Sequence, residues 1–379
     1  MNIAFDAQPI IESQKTGIGF YEYNIVKEFL KHWPENNYTF NCFRFRNPCE
    51  ALKALHEFEE LGGISNICAW FPSSFYRLIW NFIPVPYSLF LGNNADITCF
   101  FNYHVPPGVT GKKVVVVHDM AYQVFPETVR LRTRVMLNMS LKKSIKRADS
   151  IITISEFSKS EIVKYMGVDP SLITVAHCGV DTDIFYPLSE DLVNKVKQKY
   201  DLPSEYLLYT GTLEPRKNIE RLIDAYAMLI NENAFTPVLV LAGRKGWLYD
   251  SIFDKINSLG IEKRVIFTGY VDDGDMPALL SGALIFVFPS LYEGFGMPPL
   301  EAMACGIPVI TSSAASLPEV AGDAAIMVDP YDTVAIKNGI NRLINDAKLR
   351  DFLSIKGIER AKQFNWKRTA STIMNIYDN

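Results

Sequence analysis

Short runs rich in valine, isoleucine and leucine alternate with stretches of helical periodicity along almost the whole chain, and that alternation restricts the fold more than any other feature. The runs that read as strands are Ile3–Asp6, Tyr38–Phe43, Ile97–Phe101, Lys113–Val117, Ser150–Ile154 and Ile173–Ala176. A second series follows: Tyr206–Thr210, Pro237–Ala242, Val265–Thr268, Leu284–Phe288, Ile307–Thr311 and Ala325–Val328. Between them lie helical patterns such as Gly19–Lys31, Leu131–Arg147, Asn218–Ile230 and Val334–Asp346. A strand apolar on both sides must be covered on both faces, and a parallel sheet flanked by helices does that.

Twelve strands are many for one open sheet, so the 379 residues are expected to form two doubly wound α/β domains. The break is placed near Asp181–Glu190, where Asp-Thr-Asp-Ile-Phe-Tyr-Pro interrupts the pattern, giving an N-terminal domain at 1–185. Ligands of such sheets bind outside the carboxyl ends of the strands, so the expected site is a cleft between the two domains.

Composition removes other classes. The formal net charge is 38 − 42 = −4, which is not the basic balance of a nucleic-acid binder. The six cysteines (42, 49, 68, 99, 178, 305) show no metal-ligand spacing and are too sparse for a disulfide scaffold, so reduced thiols in a cytoplasm are expected. Met1-Asn-Ile-Ala-Phe-Asp6 runs straight into a strand, without the basic and apolar regions of a secretory signal.

Five loops carry chemistry. After Leu284–Phe288 comes Pro289-Ser-Leu-Tyr-Glu293-Gly294-Phe295-Gly296-Met297-Pro298-Pro299-Leu-Glu301. Its glycines free the backbone to approach a ligand, and its prolines open a helix. The amides of Gly294 to Met297 then point at an anion, while Glu293 suits the hydroxyls of a neutral polyol and Glu301 is read into the first helical turn. After Tyr206–Thr210 come Gly211 and the cation pair Arg216-Lys217 at a helix start, a diphosphate clamp. Thr16-Gly17-Ile18-Gly19 follows the first strand and would bring backbone to a phosphate or an acceptor, though a plain turn reads as well. His118-Asp119 ends the strand Lys113–Val117; the histidine suits a proton acceptor or a sugar contact, or a satisfied structural role. Gly269-Tyr270-Val271 would offer backbone groups to a nucleobase edge, or form only a turn. The P-loop, His-Glu-x-x-His and Gly-x-Ser-x-Gly patterns are absent. Asp181-x-Asp183 is a weak metal pair, and no metal site is assigned.

Taken in order, these loops resemble the retaining glycosyltransferases of family 4, the group 1 transferases with the GT-B architecture. The resemblance rests on Glu293-x7-Glu301 with Gly-Phe-Gly between, joined to Gly211…Arg216-Lys217-Asn218. Thr16-Gly-Ile-Gly19, Val117-His-Asp119, Ser155-Glu-Phe-Ser158, Gly179-Val-Asp181 and Ala304-Cys-Gly-Ile-Pro308-Val support it. It implies a C-terminal donor domain at 186–362 and a final helix, 363–379, that crosses back to the N-terminal domain. It further implies that Arg216 and Lys217 neutralise the diphosphate of a sugar nucleotide, and that Glu301 holds the ribose. Tyr270 and Val271 would flank the base. Glu293 and the amides of Phe295, Gly296 and Met297 would hold the sugar and leaving phosphate. His118 would touch the donor sugar, and the loop with Gly17 and Gly19 would close over the diphosphate. No cofactor and no obligatory metal is implied.

Leu241-Ala-Gly-Arg-Lys-Gly-Trp-Leu-Tyr-Asp250 and Gly269-Tyr-Val-Asp-Asp273 resemble mannosyltransferases of bacterial polysaccharide assembly, which implies GDP-mannose, with a UDP-sugar as competitor. Residues 69–91 hold eight aromatics, three prolines and Arg77 as their only charge, a stretch too broken for a spanning helix. Residues 130–147 hold seven basic side chains and no acidic one. Leu137, Leu141, Ile145 and Ala148 recur there at helical spacing, which suits either a core-facing helix or a surface for anionic lipid. The expected acceptor is a glycan or a lipid-diphosphate-linked glycan, met by a cytoplasmic protein held peripherally on the inner membrane face. An epimerase and a noncatalytic sugar-binding scaffold remain as alternatives.

Overall fold

The computed structural model describes residues 1–11, 17–45, 52–92, 94–233, 235–244, 246 and 249–378. It divides into two compact units, one of Met1–Gly179 with Trp366–Asn379 and one of Val180–Asn365.

The first unit is built on a parallel sheet of seven strands: β1 (Asn2–Asp6), β2 (Asn37–Phe43), β3 (Ile64–Cys68), β4 (Ile97–Phe100), β5 (Lys112–Val116), β6 (Ser150–Thr153) and β7 (Ile173–Val175). Their order is β3-β2-β1-β4-β5-β6-β7. The second unit carries six parallel strands: β8 (Tyr206–Thr210), β9 (Val238–Ala242), β10 (Val265–Gly269), β11 (Ile285–Phe288), β12 (Val309–Ser312) and β13 (Ala325–Val328), ordered β10-β9-β8-β11-β12-β13. In each sheet the chain winds outward from a central strand and then crosses back to that strand's other side. The reversal falls between β1 and β4 in one unit and between β8 and β11 in the other. Loops leave in opposite directions at such a switch point and open a crevice at the carboxyl ends.

Strand β3 was not anticipated. It is an edge strand whose pattern Ile-Ser-Asn-Ile-Cys buries only Cys68, so it lacks the doubly apolar run that marks central strands. Strand β12 starts at Val309 rather than Ile307, because Ile307 N donates back to Ala302 O and Pro308 has no N–H for a ladder. The unit boundary lies at Gly179/Val180, upstream of the 185/186 break read from the sequence, and Val180 N already donates to Phe364 O within the second unit. The last helix, Trp366–Asp378, packs in the first unit: Trp366 meets the Tyr21 ring edge-on at 5.8 Å, and Thr369 Oγ1 donates to His177 O at 2.6 Å.

Two sequence motifs prove to be architectural. Ser155 caps the helix Glu156–Met166 by accepting from Ser158 N at 3.0 Å. Asp181 Oδ1 accepts from Asp183 N at 3.0 Å, a local turn in which that carboxylate is engaged. Among the described residues no three His, Cys, Asp or Glu side chains gather as a metal-binding group, and the five described cysteines are free and buried; Cys49 lies outside the described residues. Among them, too, no helix is long and apolar enough to cross a membrane.

Candidate functional site

The second sheet explains how segments far apart in sequence come together. β8 and β11 are hydrogen-bonded neighbours, with Ile285 opposite Leu207 and Phe286 opposite Leu208. Their carboxyl-end loops therefore leave side by side. Leu291 N donates to Arg216 O at 2.9 Å, and Asn218 Nδ2 donates to Pro289 O at 2.9 Å. Arg216 and Lys217 sit in a short 3-10 turn, Pro215–Lys217, which Asn218 ends in the left-handed region before the helix Ile219–Glu232 begins.

At this junction four charged side chains meet. Lys217 Nζ lies 2.6 Å from Glu293 Oε1, and Arg216 Nη1 lies 3.2 Å from Glu293 Oε2. Arg216 Nη1 also donates to Tyr292 O at 2.7 Å, and its Nη2 pairs with Glu214 at 2.8 Å. Burial pushes the Glu293 carboxyl up, but Lys217 and Arg216 together outweigh it and hold the group below its ordinary value. It is thus an anion at neutral pH. The loop that carries it is fixed from behind by the buried Ser316 hydroxyl, which hydrogen-bonds Glu293 O at 2.9 Å and Phe295 O at 2.8 Å.

Gly296 precedes the helix Met297–Ala304 with φ +114°, and a Cβ there would stand 2.6 Å from Leu317 Cδ2. Only glycine lets the loop turn here. Pro298 and Pro299 contribute no N–H, so the amides this helix leaves without intrahelical acceptors are those of Gly296 and Met297. Glu301 lies beyond the first turn into which the sequence reading put it, since the helix opens at Met297. It is half-buried, and burial, with the Asp273 carboxylate adding, pushes it up to about 7.

A backbone crossing forms the neighbouring wall. Gly211 N donates to Ala242 O at 2.9 Å and Gly243 N to Gly269 O at 2.8 Å, joining the ends of β8, β9 and β10. A Cβ on Gly243 would lie 1.9 Å from Gly211 O. Beside it the Arg244 guanidinium stacks on the Tyr270 ring at 4.1 Å, and Tyr270 Oη donates to Asp273 at 2.8 Å. Val271 beside them is buried. Lys245, Trp247 and Leu248 lie outside the described residues.

The remaining candidates belong to the first unit. Gly17 and Gly19 are not in a loop, as the sequence reading had them. They are the first turn of the helix Gly17–His32, whose leading N–H groups lack intrahelical acceptors, and Thr16 lies outside the described residues. His118 is buried; its Nε2–H donates to Phe101 O at 2.8 Å, which leaves Nδ1 as the acceptor nitrogen. Burial holds its pKa down, against the opposing pull of that hydrogen bond and of Asp119. The imidazole is neutral.

One feature carries no motif in the sequence: a small, largely aromatic pocket of about 20 Å³ at the first sheet's own switch point, with a few charged and polar groups in its wall. Asp6 ends β1 and lines it with Arg77, Tyr87 and His104. Burial raises the Asp6 carboxyl, while Arg77 opposes that rise. Burial and then Arg77 depress His104 to about 3. A carboxylate closing an otherwise apolar strand was the signal available in the sequence.

Comparison with known proteins adds an independent line. Residues 193–360 match the family described as glycosyl transferases group 1, and residues 24–184 match glycosyltransferase family 4. An O-antigen chain mannosyltransferase B of Escherichia coli is 38% identical over 278 residues, covering 73% of this chain and 72% of the relative. Among solved structures, sucrose-phosphate synthase from Thermosynechococcus elongatus superposes with a TM-score of 0.75 at 20% identity, over 100% of this chain and 98% of that one. HepE from Anabaena, solved with UDP and glucose, gives 0.75 at 18%, over 100% and 99%.

Proposed function

This chain belongs to the group 1 glycosyl transferases, with GT-B architecture, and from that premise we propose that it transfers mannose from GDP-mannose to a glycan or lipid-diphosphate-linked glycan, with retention and without a metal. The observation that carries the reading is the Arg216–Glu293–Lys217 cluster at the switch point of the second sheet. The mannosyltransferase relative favours mannose.

Cleavage of a sugar–phosphate bond places negative charge on the departing diphosphate. Arg216 and Lys217, already fixed by Glu293 and by Tyr292 O, meet that charge without reorganising. Each such group contributes about 2–4 kcal/mol when the charge develops. The amides of Phe295, Gly296 and Met297 add dipoles at the helix start. Glu293 also serves the transferred sugar, because its oxygens accept hydrogen bonds from the sugar's hydroxyls. Glu301, when ionised, accepts from the ribose hydroxyls, and the stacked Arg244–Tyr270 pair gives the base a flat polar edge. For His118 the reading rests on the family resemblance: a neutral imidazole whose Nδ1 accepts a sugar hydroxyl. The pocket of Asp6, Arg77 and His104, about 20 Å³, has room for a single acceptor hydroxyl. The acceptor's lipid would be met through the basic stretch 130–147, with the protein peripheral on the inner membrane face.

A thermal-shift screen with GDP, UDP, ADP and their sugars, in chelator, tests the donor. A ligand at 100 times its Kd adds about 2.7 kcal/mol of stability. GDP and GDP-mannose are expected to shift the melt most, and NMR of the product to show the α anomer. A preference for UDP species would replace the donor, and donor conversion without acceptor would favour an epimerase.

A further inference from the structure

The stripe Leu137, Leu141, Ile145 was one reason to read the helix Leu131–Arg147 as a lipid-binding amphipath, yet Leu137 and Leu141 are buried in the first unit's core. That stripe therefore supplies no apolar contact to a bilayer. The exposed apolar side chains lie next door. In the segment 70–89, Tyr76, Trp80 and Tyr87 point inward, while Trp70 (65% exposed), Phe82 (71%), Ile83 (61%) and Leu89 (69%) point out.

The segment is fastened to the basic helix. Lys143 Nζ donates to Asn81 O at 2.6 Å, and the Arg147 guanidinium stacks on Trp80 at 4.9 Å. Phe82 and Ile83 thus stand beside the helix face that carries Lys142, Lys143 and Lys146. Asp149, the first acid after the helix, is paired with Lys113 at 2.7 Å. A soluble monomer rarely leaves such bulk in water. The charge decides between occupants. A second copy of this surface would set seven cations of 130–147 against seven more, with no acid in that stretch to relieve them. An anionic bilayer satisfies both halves, taking apolar tips into its interface and cations at its phosphates.

We propose that the segment 70–89 and the helix Leu131–Arg147 form one face that docks on anionic lipid, with Phe82 and Ile83 entering the interface and Lys142, Lys143 and Lys146 pairing with lipid phosphates. This deepens the membrane part of the proposed function and rests on it. Pro84 and Pro86 keep the segment on the surface rather than across it.

The test is flotation of the full chain with phosphatidylcholine vesicles, with and without phosphatidylglycerol. Wild type should float only with the anionic lipid, and added salt should weaken it. Phe82→Ser with Ile83→Ser should lower partitioning about tenfold or more. Lys142→Glu with Lys146→Glu should lower it by a similar factor. Unchanged melting and unchanged transfer to a soluble acceptor verify that both double variants fold. Quenching of Trp70 by brominated lipid, absent in Trp70→Phe, should report insertion. If wild type floats and the Phe82/Ile83 variant floats equally, this inference falls while the membrane reading stands. If wild type ignores anionic vesicles, both fall.

Discussion

Replacing Glu293 by glutamine should tighten binding of the nucleoside diphosphate while slowing transfer. The carboxylate already pairs with both cations assigned to the diphosphate, at 2.6 Å from Lys217 and 3.2 Å from Arg216. A diphosphate oxygen at ordinary charge-assisted distance on the far side of Lys217 Nζ would lie about 5 Å from that carboxylate. At an effective dielectric of 20, two unit charges at that distance repel by about 3 kcal/mol. Glutamine removes the repulsion and keeps the shape. Some of the gain is lost because the cations are held less firmly, so GDP should bind about tenfold tighter. Titration calorimetry at low salt measures this directly, and the difference should shrink as salt rises. The ligand-free variant should melt lower, since the removed anion leaves Lys217 without its partner and Arg216 with Glu214 alone, and GDP should restore more stability to it than to wild type. Equal or weaker GDP binding by Glu293→Gln would refute the assignment of these cations to the diphosphate.

Glu301 gives a pH signature. Its folded pKa of about 7 lies above the unfolded value, so its contribution to stability is full below about 4.5 and is lost as pH rises through 7. Glu301→Gln should therefore raise the melting temperature at pH 8.5 and change it little at pH 4.5, while donor KM in wild type falls as pH rises past 7. Gly243→Ala places a Cβ at 1.9 Å from Gly211 O on a backbone with φ +153°, and should cost on the order of 3 kcal/mol, read as a lost or lowered denaturation midpoint. Asp6→Asn should raise acceptor KM several-fold in a transfer assay and leave GDP affinity unchanged, because Asp6 lines the first unit's pocket while the diphosphate is assigned to Arg216 and Lys217 of the second.

Much of the architecture was readable because a central parallel strand must be apolar on both faces. Tyr206–Thr210 is buried at every position, and its run in the sequence coincides with β8. Edge strand β3 escaped for the converse reason, since most of its side chains are left partly or fully open to water. The chemistry of Arg216, Lys217 and Glu293 was visible in residue type, but their mutual pairing was not. It depends on β8 lying beside β11, and sequence order puts β9 and β10 between them. The direction of the stripe on Leu131–Arg147 was ambiguous for a related reason. Periodicity shows that a helix has an apolar face but not what covers it, and here the domain core does.

The most direct measurement is the single-turnover rate of Lys217→Met with GDP-mannose as donor. If this ammonium meets the charge on the departing diphosphate, the rate should fall about 30- to 1000-fold while circular dichroism stays that of the wild type. A rate within a factor of about two of wild type at saturating donor would contradict the account.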